Sequence, residues 1–187
     1  MGFLDNLLGR TKPVQANLDA LFGVPSAAIT LQSTLGLLPT GVGAVSVKVT
    51  EGSGYAAALE QALALLRSGG TQVTQNTDTF GFTWLTVRAD PAALPELITN
   101  LHGANTAFNS AGLGPALLCT TVGFTGADGT VGLVYLFKRG TFYPFAPTGP
   151  EQRDNAFELA VRAALGDELP VEADLTRWFP VWGTPLS

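Results

Sequence analysis

Residues 115–138 read PALLCTTVGFTGADGTVGLVYLFK. Two long β-prone runs, 115–125 and 131–138, flank Asp128-Gly129. Both of those residues tolerate the positive φ that a tight hairpin turn demands, so the stretch predicts a hairpin. Leu133, Tyr135 and Phe137 oppose Val134 and Leu136, so the second strand is apolar on both faces. An antiparallel sheet commonly keeps one face wet; one that is apolar on both needs cover on both. Helices, the C-terminal tail or a second subunit could supply that cover.

The pattern extends outward from the hairpin. Residues 80–88 form a further strand, with Phe82 and Trp84 facing one way and Leu85 and Val87 the other, paired with 71–77. Val45, Val47 and Val49 alternate with Ser46 and Lys48, which predicts a half-exposed strand. Gly41-Val42-Gly43 and Gly52-Ser53-Gly54 lack the Lys and Ser/Thr of a phosphate loop and read as turns. Three helices stand between and after the strands. Tyr55, Leu59, Leu63 and Leu66 make one stripe, ended by Ser68-Gly69-Gly70. Leu94, Leu97, Ile98, Leu101 and Phe108 make the second, with Pro91 or Pro95 in its first turn and Ala111-Gly112 at its end. Phe157, Ala160, Val161, Ala164 and Leu165 make the third, which a capping box of Thr148 and Glu151 would open and Gly166 would stop.

The predicted fold class is α+β: an antiparallel sheet built from successive hairpins, with helices packed on it and a C-terminal helix and aromatic tail covering it. Residues 1–16 read as a short apolar helix and linker. Residues 17–187 read as a single domain, with three hairpin-plus-helix units over 17–147 and the helix and tail over 148–187. In the first ten residues Phe3, Leu4, Leu7 and Leu8 share one helical face. A helix so short needs something to dock on: the body or a second subunit is favoured, then a protein partner, then lipid. Its polar face lacks the Lys/Arg excess of an interfacial helix, so peripheral membrane contact is not favoured.

The chain has 187 residues, net charge −5, 46% hydrophobic and 13% charged residues. The charged fraction is about half the usual ~25%, which excludes global disorder. Ten scattered Lys and Arg supply no basic face, so no nucleic-acid partner is expected. One cysteine makes no internal disulfide; with no signal peptide or 18-residue apolar run, the expected location is cytoplasmic.

The catalytic inventory is thin. His102 lies beside the second helical stripe with no nucleophile or acid at a telling spacing, and reads as structural. Cys119, within a strand, reads as a buried small hydrophobe. Asp167, Glu168, Glu172 and Asp174 cluster in sequence but show no cation-loop spacing, and read as a solvated face. No metal and no cofactor is expected. Asn105, close to its helix's apolar stripe, reads as a tie between helix and sheet, because a buried amide must be hydrogen-bonded. The unusual segments are aromatic: Arg139 with Phe142, Tyr143 and Phe145, and Arg177 with Trp178 and Trp182. Arg and aromatics are what interface hot spots favour. The plainer reading folds the tail back, so that these rings complete the core. Together with Arg153 they make the candidate partner or ligand surface, with His102 and Asn105 as possible polar companions.

With those segments in view, the chain resembles a bacterial family, the PspA-associated protein B family. The likeness rests on 1–10 (MGFLDNLLGR), 25–32 (PSAAITLQ), 80–85 (FGFTWL) and 101–105 (LHGAN), and on 136–147 (LFKRGTFYPFAP), 153–155 (RDN) and 174–183 (DLTRWFPVWG). It implies association with the phage-shock, envelope-stress system, often beside a membrane metalloprotease of the HtpX type; it implies no known reaction and no catalytic residue. The expected function is therefore a non-enzymatic accessory or adaptor that binds a protein partner of that system, with homo-oligomers possible. The alternative is a small-ligand or enzymatic domain in which Arg139, Arg153 and Arg177 hold an anion. Convergence of those groups in one pocket separates the two. The architecture also loosely resembles secretion-chaperone folds.

Overall fold

The computed structural model describes residues 17–186. The apolar helix expected within residues 1–16 lies outside them. The elements run α1 (Val24–Leu35), β1 (Leu38–Lys48), α2 (Ser53–Leu66), β2 (Gln72–Thr77), β3 (Phe82–Arg88), α3 (Leu94–Phe108), β4 (Leu117–Gly126), β5 (Gly129–Leu136), β6 (Thr141–Phe145), β7 (Pro147–Gly149), β8 (Gln152–Arg153) and α4 (Asn155–Leu165). Six strands form one antiparallel sheet in the order β2-β3-β1-β4-β5-β6, while β7 and β8 form a separate small hairpin. The fold is α+β, as the patterning predicts.

The β4–β5 hairpin forms, but its two loop residues are Ala127-Asp128, one position before the expected Asp128-Gly129: Gly126 lies opposite Gly129, Cys119 opposite Leu136, and of the expected pair only Gly129 takes a positive φ (132°). Alternation then sorts its side chains into two cores. Val131, Leu133 and Tyr135 join a main core with Leu31 of α1, Leu63 and Leu66 of α2, Leu97, Ile98 and Leu101 of α3, and Val161 and Leu165 of α4. Val134 and Leu136 join a second core with Cys119, Tyr143, Phe145 and three tail residues, Trp178, Val181 and Leu186. Helices thus cover one face of the sheet and the tail covers part of the other.

Several expectations are corrected. The strand around Val45 is not half-exposed: β1 is central, buried from Gly41 to Val47, and pairs with β3 on one side and β4 on the other. Its Val–Ser alternation looks amphipathic, yet Ser46 is as buried as its neighbours. Gly41-Val42-Gly43 is strand, not turn, and Gly43 lets α3 press close: a Cβ there would lie 2.7 Å from a Leu101 methyl. Gly52-Ser53-Gly54 is the start of α2. The Thr148/Glu151 capping box does not form. Thr148 lies in β7, and Glu151 has φ 53° at the hairpin's turn. Asp154 opens α4 instead, its carboxylate accepting from the Phe157 N–H at 2.9 Å. In place of three hairpin-plus-helix units, the described residues place the unforeseen α1 ahead of the first strand, send β1 alone into the sheet centre, and add β6 to the long hairpin. The α3 terminus follows expectation, with Pro95 in its first turn and Gly112 left-handed (φ 77°) in the turn that ends it.

Candidate functional site

After α4 the chain returns along the open edge of β6. The Phe142 N–H donates to the Pro170 carbonyl and the Glu172 N–H to the Phe142 carbonyl, both at 2.8 Å, so this edge is closed. Asp174 then folds a short turn, accepting from the Thr176 N–H and hydroxyl at 3.0 and 2.6 Å and from Arg177 Nε at 3.0 Å. That turn drives Trp178 inward. Its ring stacks on Tyr143 at 6.1 Å and its Nε1 donates to the Glu172 carbonyl at 3.0 Å. The Tyr143 hydroxyl donates to the Phe179 carbonyl at 2.7 Å, and Trp182 lies edge-on to Phe145 at 5.1 Å. The last contact uses two glycines that face each other across the β4–β5 ladder, Gly123 and Gly132. Cβ atoms there would lie 2.0 Å from the Leu186 carbonyl oxygen and 2.7 Å from its methyl, so the bare backbone makes the lane in which the tail lies. Thr40 fixes it, its hydroxyl donating to the same carbonyl at 2.6 Å.

Two buried carboxylates anchor this region. Glu158, 1% exposed, accepts from the Ala146 N–H and from Arg153 Nε, both at 2.8 Å; Arg153 also donates to the Trp178 carbonyl and lies over the Phe145 ring. Glu172 accepts from Arg139 Nε at 3.0 Å, the Thr141 hydroxyl at 3.1 Å and the Asp174 N–H at 3.2 Å. Burial by itself raises the Glu172 carboxyl, but these donors, Arg139 first, outweigh it and hold the group below its ordinary value. Glu172 is thus buried structure, not part of a solvated acidic face.

The three arginines do not converge. Arg139 pairs with Glu172, Arg153 with Glu158 and Arg177 with Asp174. Arg139 and Arg177 share a groove of about 420 Å³ with Lys138, Leu118 and Phe179, whereas Arg153 lines a separate cleft of about 300 Å³ with Leu159 and Leu175. His102 meets Asp19 at 3.2 Å and packs tilted against the Phe22 ring, with centroids 4.6 Å apart. Asn105, fully buried, donates to the Leu101 carbonyl and the Thr120 hydroxyl, both at 2.8 Å, tying α3 to β4. Neither joins the arginines. Of the aromatic candidates, Phe142 lies in the main core and Tyr143, Phe145 and Trp178 in the tail-side core; Trp182 is 37% exposed. Cys119 is buried, and desolvation pushes its thiol to about 12, which leaves no thiolate at neutral pH. Among the described residues no cluster of three or more His, Cys, Asp or Glu is placed to hold a metal ion. The sequence reading missed Leu118 and Phe179 as site residues. Strand alternation gives no reason to expose an apolar Leu118, but Phe179 follows a buried Trp178 in an extended tail, a position that turns outward.

These features define an α+β protein with its sheet held between helices and a clamped tail, and with an apolar groove under a basic rim at the tail's turn. The chain belongs to the PspA-associated protein B family, whose model matches residues 1–186, and that description links it to PspA of the phage-shock system. No curated protein and no solved structure matches it, so the likeness to secretion chaperones is not carried further. No helix among the described residues is long and apolar enough to cross a membrane.

Proposed function

We propose that the chain is a non-enzymatic accessory protein of the phage-shock system that acts in the cytoplasm by binding PspA, and that PspA docks in the groove beside the tail. The observation that carries this is the groove's make-up. Leu117, Leu118, Leu136 and Phe179 form an apolar floor, with Phe179 58% exposed, and Lys138, Arg139 and Arg177 stand on the rim. Asp174 also lines the groove, and Arg139 and Arg177 each meet a carboxylate, so the rim's surplus positive charge comes from Lys138; a weakly cationic rim over an apolar floor fits a segment with apolar side chains and some acidic character. An exposed aromatic beside arginines is also the composition of binding hot spots. The anion-pocket alternative has less support, because each arginine already meets a carboxylate.

Calorimetric titration of the purified chain with purified PspA tests the proposal. Binding is expected that weakens with added salt. Phe179→Ala and Arg177→Glu should each reduce affinity by about tenfold or more, with circular dichroism unchanged. Absence of binding overturns the PspA reading. Binding indifferent to both substitutions leaves PspA as partner and overturns the groove.

A further inference from the structure

The two edges of the sheet are finished differently. β6 carries Pro144 and is strapped by Pro170–Glu172 along its outer side. β2 has its ladder with β3 on one side, and no other described segment bonds to the backbone of residues 72–77. Gln72, Thr74, Gln75, Asn76 and Thr77 are exposed, so both faces of this strand meet solvent. Its register with β3 is regular, and it contains no charge and no proline. Edge strands are ordinarily blunted by charge, proline, a bulge or a covering segment, because their open N–H and C=O groups template strand addition. Among the described residues, β2 uses none of these devices.

The ends of β2 carry a second observation. At its C-terminal end the turn into β3 presents Phe80, which at 76% is more exposed than any other large apolar side chain among the described residues. The turn is built to hold it there. The Asp78 carboxylate accepts from the N–H groups of Phe80 and Phe82 at 2.9 Å, and Lys48 donates to the Phe80 carbonyl. At the N-terminal end of β2 a pocket of about 370 Å³ opens over Thr71, Ala89, Ala93 and Leu97, with the carboxylates of Asp90 and Glu96 also in its lining.

We propose that β2 pairs antiparallel with β2 of a second copy about a twofold axis, making one continuous sheet, with Phe80 of each copy directed to the pocket of the other. A twofold contact needs a feature and its complement on the same surface. Antiparallel pairing meets that need, because it brings the Phe80 end of one strand to the pocket end of the other. The uncharged strand also sets no like charges opposite one another, which matters for a chain of net charge −5 meeting itself. With Gln75 on the axis, Val73 faces Thr77 and Thr74 faces Asn76.

Sedimentation of the full chain is expected to give twice the 19.5 kDa chain mass. Gln75→Lys, which places two ammonium groups together on the axis, should return the monomer with an unchanged circular dichroism spectrum and a thermal midpoint that no longer rises with protein concentration, and Phe80→Ser should weaken the dimer about tenfold. Gln75→Cys reads the same contact without weakening it. Opposed Cβ atoms lie about 4.5–5.5 Å apart, so mild oxidation should crosslink this variant, while Gln72→Cys should not crosslink. The native Cys119 is buried and stays silent. A monomer at about 100 µM, where even a dimer of Kd near 10 µM is populated, overturns the proposal. So does a dimer indifferent to both Gln75→Lys and Phe80→Ser, or one that crosslinks at Gln72 as readily as at Gln75.

Discussion

The two faces of the sheet are covered by different physics. On the helix side, the apolar stripes of four helices, α1 to α4, meet the alternate residues of the strands in one hydrophobic core. On the other side a segment with little regular structure does the same work with three buried side chains, Trp178, Val181 and Leu186. A helix satisfies its own backbone, so its attachment needs only apolar area. The tail satisfies little of its own, so it borrows partners: the Phe142 backbone, the Tyr143 and Thr40 hydroxyls, the Arg153 guanidinium, and Arg139 and Thr141 for its own buried Glu172. One face is held by area, the other by placed hydrogen bonds and charge around a few large rings.

The largest test removes one side of that comparison. A chain ending at Leu175 loses Trp178, Val181 and Leu186 together. Truncating one buried Trp costs about 3–5 kcal/mol, and for a chain of this size each kcal/mol lowers the thermal midpoint by roughly 2–4 °C. A drop of about 10 °C or more is therefore expected in thermal unfolding. Cys119 lies beneath the tail and should become reactive to a thiol reagent in the truncated chain while staying inert in the full one. An unchanged midpoint with Cys119 still protected would show that the tail-side core is not held by the tail.

The second test separates charge from area. The Glu172 carboxyl is held below its ordinary value of 4.5, so near that pH the folded state binds fewer protons than the unfolded chain. The stability this supplies is whole above about pH 6, begins to fall near the ordinary value and is gone below the folded one. Glu172→Gln should lower stability by about 2 kcal/mol at neutral pH, because Arg139 and Thr141 lose a charged acceptor. As pH falls toward about 3 the midpoints of the variant and the parent chain should converge. Parallel curves across that range would mean that Glu172 holds the tail by shape alone.

The same contrast decides what the sequence made legible. The hairpin between 115–125 and 131–138, the pairing of 71–77 with 80–88 and the α2 and α3 stripes were readable because each is a local period or a run broken by turn-forming residues, although the hairpin turns at Ala127-Asp128, one residue before the expected pair. The demand for cover on both faces followed from Val134 and Leu136 opposing Leu133 and Tyr135. What was not readable is non-local. Nothing near Ser46 says that a polar-looking face will be buried, and nothing near Gly123 and Gly132 says that a tail more than fifty residues away will lie across them. The candidate surface was half legible for the same reason. Composition marked the aromatic segments, but only the fold shows that Phe142, Tyr143, Phe145 and Trp178 turn inward and leave Phe179 and Trp182 outside. The failed capping box shows local rules in competition: Asp154 met the helix's need six residues after Thr148, beyond a hairpin that Pro150 and Glu151 had already turned.

The smallest effect belongs to a fully buried place where the helix face also relies on a placed polar bond. Asn105 is fully buried and spends both amide hydrogens, one on Leu101 within its own helix and one on Thr120 of β4. Asn105→Leu keeps roughly the same shape but leaves the Thr120 hydroxyl without this donor. The expected loss is about 1–2 kcal/mol. Replacing both partners by apolar groups of similar shape removes the orphaned group, so adding Thr120→Val should return most of that loss. A denaturant double-mutant cycle measures the difference, and a coupling of about 0.5–1.5 kcal/mol is expected. If Asn105→Leu is neutral by itself, the bond is incidental and the helix face is held by area throughout. If the double substitution remains as unstable as the single one, the amide does more than tie α3 to β4, and its remaining buried oxygen becomes the atom to explain.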